Sequence, residues 1–88
     1  GMRLDKYLKV ARVIKRRTIA NEVSAAGRVS VNGKTAKPST DIKPGDIIEI
    51  AFGSGLSRIR VLAVKETVRK NEASELFEIL EAGDALKE

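Results

Sequence analysis

Seven lysine or arginine side chains and a single carboxylate lie between residues 3 and 17 of this 88-residue chain. Cations at such a density can meet several phosphate groups at once, and each contact of that kind releases counterions. The chemistry favoured by this stretch is therefore the binding of a polyanion. The candidate binding residues in it are Arg3, Lys6, Lys9, Arg12, Lys15, Arg16 and Arg17.

Four residues outside this stretch extend the candidate surface. Thr18 follows three consecutive cations and has the chemistry of a helix N-cap, and its hydroxyl could also touch a phosphate at the exposed N–H groups of a helix start. We expect capping to be its main role. Arg28, Lys34 and Lys37 lie on either side of an Asn-Gly turn and are expected to form a basic rim.

The charge of the chain is distributed unevenly. Residues 1–45 carry eleven Lys or Arg and three Asp or Glu, a net charge of +8, whereas residues 46–88 carry six and nine, a net charge of −3. The basic half should therefore face a polyanion. The lone carboxylate of the basic stretch, Asp5, is expected to orient Lys or Arg side chains.

Several kinds of chemistry are excluded or unsupported by the composition. The chain has no Cys and no His, which excludes a disulfide framework, a Cys/His zinc site and a Cys or His nucleophile. Gly53-Ser54-Gly55 has no lysine and is not a phosphate loop. We expect no catalytic site, metal or cofactor. The apolar runs are too short to span a membrane, so we expect no membrane partner and a cytoplasmic location.

Aromatic residues are scarce, since Tyr7, Phe52 and Phe77 are the only ones. Tyr7 lies on the apolar side of the first predicted helix and is expected in the core. Few aromatic rings give little capacity to stack unpaired bases. If the polyanion is RNA, it should therefore be folded RNA recognised by the positions of its phosphates.

Helical periodicity predicts that residues 3–14 form one helix that positions the basic stretch. Its apolar side would carry Leu4, Tyr7, Leu8, Ala11 and Ile14, and its opposite side Asp5, Lys6, Lys9, Arg12 and Arg16. A second helix is predicted over residues 19–26, capped by Thr18 and ended by Gly27.

The rest of the chain predicts a small sheet. Strands are expected over residues 28–31 and 34–37 around the Asn32-Gly33 turn, then over residues 47–52 and 56–64. Residues 65–75 are polar and predict a loop with one possible helical turn. Residues 76–80 predict a final strand, with a helix as the alternative.

These elements predict an α+β fold, in which two N-terminal helices pack on a small, mostly antiparallel sheet of about four to five strands. A single domain is expected over residues 2–82, with a core motif over residues 3–52 and C-terminal strands over residues 56–80. Residues 83–88 are expected to form a frayed tail.

Four segments, in this order and at this spacing, resemble the RNA-binding domain of ribosomal small-subunit protein four, the alpha-L RNA-binding motif. They are Arg3–Leu8, Lys15–Thr18 with Ala20, Gly27–Lys34 and Lys43–Asp46. The resemblance covers about residues 3–52 and implies the fold just described and the binding of structured RNA by the candidate residues.

The C-terminal half is similar to that of stand-alone bacterial members of this family. The heat-shock type has a long basic C-terminal extension, whereas this sequence ends acidic, which favours the ribosome-quality-control type. That resemblance implies a monomer that binds ribosomal RNA of the large subunit near a peptidyl-tRNA. It also implies action on stalled nascent chains beside a nascent-chain tailing factor.

Other interpretations remain open. One is a recycling factor of the heat-shock type, which would bind large subunits that carry a nascent chain, and another is a general rRNA- or tRNA-binding module. The motif also accompanies pseudouridine synthases and tyrosyl-tRNA synthetases as a targeting appendage, although 88 residues leave no room for either catalytic domain. Lastly, the basic patch could meet an acidic protein.

Overall fold

The computed structural model describes residues 1–86. These residues form two α-helices, Leu4–Val10 (α1) and Arg17–Ala25 (α2), and two 3-10 helices, Lys70–Leu76 and Asp84–Leu86. Their strands are Met2–Arg3 (β1), Val29–Val31 (β2), Lys34–Thr35 (β3), Asp41–Ile42 (β4), Ile47–Ala51 (β5), Leu56–Val61 (β6) and Phe77–Glu81 (β7).

The main sheet is antiparallel and has five strands in the order β3-β2-β5-β6-β7. Strands β1 and β4 pair separately, with Met2 opposite Ile42. The predicted α+β class, with two helices and a small antiparallel sheet, is confirmed. The β1–β4 pair was not predicted, because a two-residue strand is too short to show a periodicity.

The core lies between the helices and one face of the sheet. Alternate residues of β5 and β6 are fully buried, among them Ile48, Ile50 and Ile59. Tyr7 is also fully buried, and its hydroxyl donates a 2.7 Å hydrogen bond to the carbonyl oxygen of Leu76. Burial raises the pKa of Tyr7 above its ordinary value. The predicted core position of Tyr7 is confirmed.

Helix α1 is shorter than predicted. It ends at Val10, and the N–H of Val13 donates to the carbonyl oxygen of Leu8 at 3.0 Å while Arg12 adopts a left-handed φ of +58°. A helix continued through residue 14 would have placed Val13 on the basic side. The turn buries Val13 and Ile14 together, with exposures of 4% and 6%, and this apolar burial opposes continuation of the helix.

Helix α2 begins at Arg17, so Thr18 lies inside its first turn. Arg16 is the N-cap residue, and no side chain caps the helix. The predicted capping role of Thr18 is therefore wrong. The predicted end is right, because Gly27 has a φ of +77° and the N–H of Arg28 donates back to the carbonyl oxygen of Val23 at 3.2 Å.

The β2–β3 turn, the last strand and the C-terminal segment can each be compared with the predictions. The Asn32-Gly33 turn joins β2 to β3 with φ values of +51° and +83°, as predicted. Residues 77–81 form strand β7, so the helical alternative is wrong. The predicted frayed tail does not hold for residues 83–86, since Ala85 is 4% exposed within a 3-10 helix. Residues 87 and 88 lie outside the described part of the chain.

Candidate RNA-binding surface

Asp5 is the centre around which two of the candidate cations are arranged. Its side chain is 3% exposed and lies in the first turn of α1. The guanidinium of Arg3 donates to both carboxylate oxygens, at 3.1 and 3.3 Å. Arg17, from α2, places a guanidinium nitrogen 3.6 Å from the same carboxylate. Asp5 thus orients arginine side chains from two different elements, as the sequence predicts.

The carboxylate of Asp5 is held in its charged form. Burial by itself raises the pKa, but hydrogen bonds from Arg3, Asn21 and the Lys6 backbone, with the charge of Arg17, outweigh it and hold the pKa below its ordinary value. The side chains of Arg3 and Arg17 remain about half exposed, at 51% and 48%. Their remaining N–H donors are available to a ligand.

Lys6 is paired with an acid that is distant in the sequence. Its ammonium group forms an ion pair and hydrogen bond with the carboxylate of Glu66, which lies between β6 and the 3-10 helix Lys70–Leu76. The Glu66 side chain is 74% exposed. This contact was not predicted, because no local pattern links residues 60 positions apart.

Lys9, Arg12 and Lys15 meet at one shallow polar depression of about 210 Å³. Its opposite wall is formed by residues 66–68, including Glu66. Helical projection placed Arg12 and Arg16 on the same face of a long first helix, and this geometry is wrong because both lie beyond the end of α1. The turn after α1 nevertheless brings Arg12 to the same depression as the two lysines.

The α1–α2 connector presents further candidates at the start of α2. Arg16 is the N-cap residue, and Thr18 lies exposed in the first turn. The free N–H groups of that turn and the adjacent cations can share a phosphate. We call Arg3, Lys6, Lys9, Arg12, Lys15, Arg16 and Arg17 the basic surface.

The three rim candidates lie around the β2–β3 hairpin. Arg28, Lys34 and Lys37 are exposed, and no hydrogen bond or ion pair within residues 1–86 joins their side chains to the basic surface. Lys37 is connected to α1 through the backbone, because the carbonyl oxygen of the next residue, Pro38, accepts from the N–H of Asp5 at 3.1 Å.

Two sequence motifs form one structural unit beside this rim. The side-chain amide of Asn32 donates to Asp46 at 3.0 Å, and its oxygen accepts from the N–H of Ile47 at 2.9 Å. Asp46 also accepts from the N–H of Lys43 at 2.9 Å. Asn32 is therefore a turn residue, as expected, and it fixes the hairpin against the start of β5.

Sequence reasoning missed Asn21 as well as Glu66. The amide of Asn21 donates to Asp5 at 3.2 Å. A signal for Asn21 was present, because it lies four residues after Arg17 and therefore on the same face of α2.

Within residues 1–86 no group of three or more acidic, His or Cys side chains could hold a metal ion. No helix in that part of the chain is long and apolar enough to cross a membrane.

The chain is similar to known proteins over most of its length. A family model described as the S4 domain matches residues 2–48. The RQC P-site tRNA stabilizing factor of Bacillus subtilis (strain 168) is 52% identical over 79 residues, which cover 90% of this chain and 92% of that protein. The Heat shock protein 15 homolog of Aeromonas salmonicida is 34% identical over 86% of this chain and 58% of that protein.

The solved structure of Heat Shock Protein 15 from Vibrio cholerae has a TM-score of 0.80 with this chain. The two are 33% identical, and the match covers 88% of this chain and 79% of that one. The matched fold thus includes the C-terminal strands as well as the segment that carries the basic surface. Because the family model spans more than half of the residues and the relatives align over nearly all of them, the chain belongs to the S4 domain family.

Proposed function

We propose that this protein is a non-catalytic RNA-binding factor that binds ribosomal RNA and tRNA on the large ribosomal subunit. In this proposal it acts in the quality control of stalled nascent chains. The observation that carries it is the pair of arginines, Arg3 and Arg17, held on either side of buried Asp5. Such an arrangement keeps two guanidinium groups in place before a ligand arrives.

Pre-positioned cations suit folded RNA, whose phosphates also have fixed positions. An arginine held by a carboxylate loses less side-chain freedom on binding than a free one, so less of the binding free energy is spent on ordering it. Lys9, Arg12 and Lys15 would meet further phosphates along the same strand. The N–H groups at the start of α2 would add directed donors.

The names of the relatives support a role beside the P-site tRNA of the ribosome. The Bacillus subtilis protein is named for stabilizing a P-site tRNA, and we extend that role to this chain. It would lie between the tRNA and ribosomal RNA and keep a peptidyl-tRNA in place while a tailing factor extends the nascent chain. Its location would then be ribosome-associated and cytoplasmic.

A recycling role of the heat-shock type is the second candidate. The fold similarity to the Vibrio cholerae protein favours it. This chain covers only 58% of the length of the Aeromonas salmonicida homolog but 92% of the Bacillus subtilis protein. The higher identity to the Bacillus subtilis protein, 52% against 34%, supports the quality-control role.

Co-sedimentation followed by sequencing of the bound RNA tests the proposal. Tagged protein from cells should travel with large subunits and recover tRNA together with ribosomal RNA. A Lys9→Ala, Lys15→Ala variant should lose most of this association. The matched control is Lys43→Ala, Lys70→Ala, which removes two exposed lysines outside the basic surface and should associate normally.

Two results would contradict the proposal. Association lost equally in both lysine variants would show that net charge, not the basic surface, is what matters. Wild-type protein that recovers no tRNA and no large-subunit RNA would refute the proposal. Recovery of large subunits with nascent chains but without action on tailing would favour the recycling role instead.

A further inference from the structure

A second concavity, of about 310 Å³, adjoins the basic surface and differs from it in chemistry. Four of its lining residues are apolar, and the other two are cations that also belong to the basic surface. The apolar residues are Ile14, Ile19, Phe52 and Ala85, and the cations are Lys15 and Arg16. No role in phosphate binding explains an apolar concavity at this position.

The walls of this pocket come from four separate parts of the fold. Ile14 and the two cations belong to the turn between the helices, Ile19 to the first turn of α2, and Phe52 directly follows β5. Ile14 is 6% exposed, whereas Ile19 and Phe52 are only partly buried. The pocket therefore has a packed wall and a partly exposed aromatic ring that also packs against the core.

The remaining wall, Ala85, is held in place by specific contacts. The N–H of Gly83 donates to the hydroxyl of Ser57 at 3.0 Å, and the carboxylate of Asp84 accepts from the N–H of Ser54 at 2.6 Å. A Cβ on Gly83 would come within 2.7 Å of the Leu56 backbone, so the segment passes against β6 as closely as glycine permits. The C-terminal segment is thus fixed against the sheet.

The size and charge of the pocket restrict what it can hold. Its volume is at the lower end of the roughly 300–1,000 Å³ typical of small-molecule pockets, which suits one flat ring system. The two cations on its rim favour a ligand whose flanks are anionic. An unstacked nucleobase with its own phosphates has both properties, since RNA loops and bulges present splayed bases that stack on aromatic rings or on arginine.

We propose that this pocket holds one unstacked base of the RNA bound by the basic surface. The base would lie against the Phe52 ring, and Lys15 and Arg16 would contact the phosphates on either side of it. The inference rests on the proposed RNA-binding function and adds a base contact to a surface otherwise made of phosphate contacts. The scarcity of aromatic residues predicts little capacity for base stacking, and this pocket would supply that capacity for one nucleotide.

The test exploits the different salt dependence of the two kinds of contact. Each phosphate contact adds about one unit to the slope of log K against log salt concentration, whereas a stacked base adds affinity without changing the slope. Dissociation constants would be measured at several salt concentrations for purified large ribosomal subunits that carry a P-site tRNA. The variants are Phe52→Leu and Ile19→Ala, with Leu80→Ala, an exposed leucine on β7, as the control.

Phe52→Leu keeps an apolar side chain and removes the ring. We expect it to bind about five- to tenfold more weakly at every salt concentration, with the slope unchanged, in line with the loss of one stacked base. Ile19→Ala should act in the same direction, and Leu80→Ala should bind like the wild type. Thermal unfolding of each variant shows that the domain is folded at the binding temperature.

Several outcomes would overturn the inference. Binding by both pocket variants within twofold of the wild type would show that no base occupies the pocket, while the proposed function would stand. A weakening seen with intact subunits but absent with deproteinised ribosomal RNA and tRNA would assign the pocket to a protein side chain. Wild-type protein that binds none of these particles would refute the proposed function itself.

Discussion

Arg12 occupies the position at which a helix commonly ends on glycine. Its φ of +58° lies in the left-handed region, and the backbone hydrogen bonds around it close the end of α1 as a glycine would. The left-handed conformation costs a non-glycine residue about 1 kcal/mol. The guanidinium is exposed on the basic surface, and the proposed binding role would explain why an arginine is tolerated there.

Replacing Arg12 by glycine should therefore have opposite effects on stability and binding. We expect Arg12→Gly to raise the free energy of unfolding by about 1 kcal/mol, which corresponds to about 4–8 °C in Tm for a domain of this size. The same change should weaken RNA binding and reduce the salt slope by about one unit. Thermal unfolding and a salt titration measure the two effects.

The control for Arg12→Gly is Arg12→Ala. Alanine removes the same cation but keeps the backbone strain, so we expect the same loss of affinity without the gain in stability. Equal stability of the two variants would show that the left-handed backbone at residue 12 costs nothing.

Ionised Asp5 should stabilise the fold, so the free energy of unfolding should fall at acid pH as Asp5 is protonated. Because folding lowers its pKa, the stabilisation is fully present above the ordinary value of 3.8 and is lost as the pH falls through the lower folded pKa. Asp5→Asn should cost about 1 to 3 kcal/mol at neutral pH, since Arg3 and Arg17 lose a buried ionised partner. The difference between wild type and variant should shrink below about pH 4.

Denaturant unfolding at several pH values measures this coupling. Asp41→Asn is the control, because the Asp41 side chain is 59% exposed and its replacement should change stability by at most about 0.5 kcal/mol. A stability difference for Asp5→Asn that persists unchanged at pH 2 would contradict the account of Asp5.

Among the elements, α1 supplies cations to the basic surface, whereas the segment between β6 and the 3-10 helix Lys70–Leu76 supplies a carboxylate that opposes RNA binding. It brings the Glu66 carboxylate to Lys6 and to the wall of the depression lined by Lys9, Arg12 and Lys15. A carboxylate at that position competes with phosphates for the same cations. The segment should therefore reduce the affinity of the basic surface for RNA.

Glu66→Gln should bind RNA more tightly than the wild type. We expect a gain of about two- to fivefold at low salt, consistent with the small energies of exposed ion pairs, and the gain should fade as salt screens the charges. Glu78→Gln is the matched control, because it breaks an exposed ion pair with Arg60, which is not one of the candidate residues. Weaker binding by Glu66→Gln would instead indicate that Glu66 positions Lys6 for the ligand.

The elements differ in how well the sequence predicts them. The end of α2 and the β2–β3 turn follow from Gly27 and Asn32-Gly33, whose preference for positive φ is local information. The end of α1 does not, because it depends on burying Val13 and Ile14 together against the core. The docking of Ala85 was missed for the same reason, since its support comes from Ser54 and Ser57, about 30 residues earlier.

At the scale of the whole molecule, the two halves differ in whether their cations form ion pairs. Arg58 and Arg60 on β6 form ion pairs with Glu49, Glu81 and Glu78. Within residues 1–86, no ion pair involves Lys9, Arg12, Lys15 or Arg16. Four of the seven cations of the basic surface are therefore presented to solvent without an ion-pair partner among residues 1–86, whereas the arginines of β6 are largely neutralised.

Residue types and spacing predict the membership of the basic surface. They predict its three-dimensional arrangement less well. The density of cations from Arg3 to Arg17 is visible in the sequence, and so is a structural role for Asp5. The convergence of Arg3 and Arg17 on one carboxylate is not, because it requires the packing of β1, α1 and α2 together. Contacts such as Lys6–Glu66 depend on chain topology, which no local pattern encodes.

The central claim is that the basic surface binds RNA of the large ribosomal subunit. The most direct test is the salt dependence of binding to purified large subunits carrying a P-site tRNA, for wild type and for Lys9→Glu, Lys15→Glu, whose lysines are exposed and away from Asp5. We predict a steep fall of affinity with salt for the wild type, and loss of binding with retained folding for the variant. Affinity that is insensitive to salt, or a folded variant that binds like the wild type, would contradict the claim.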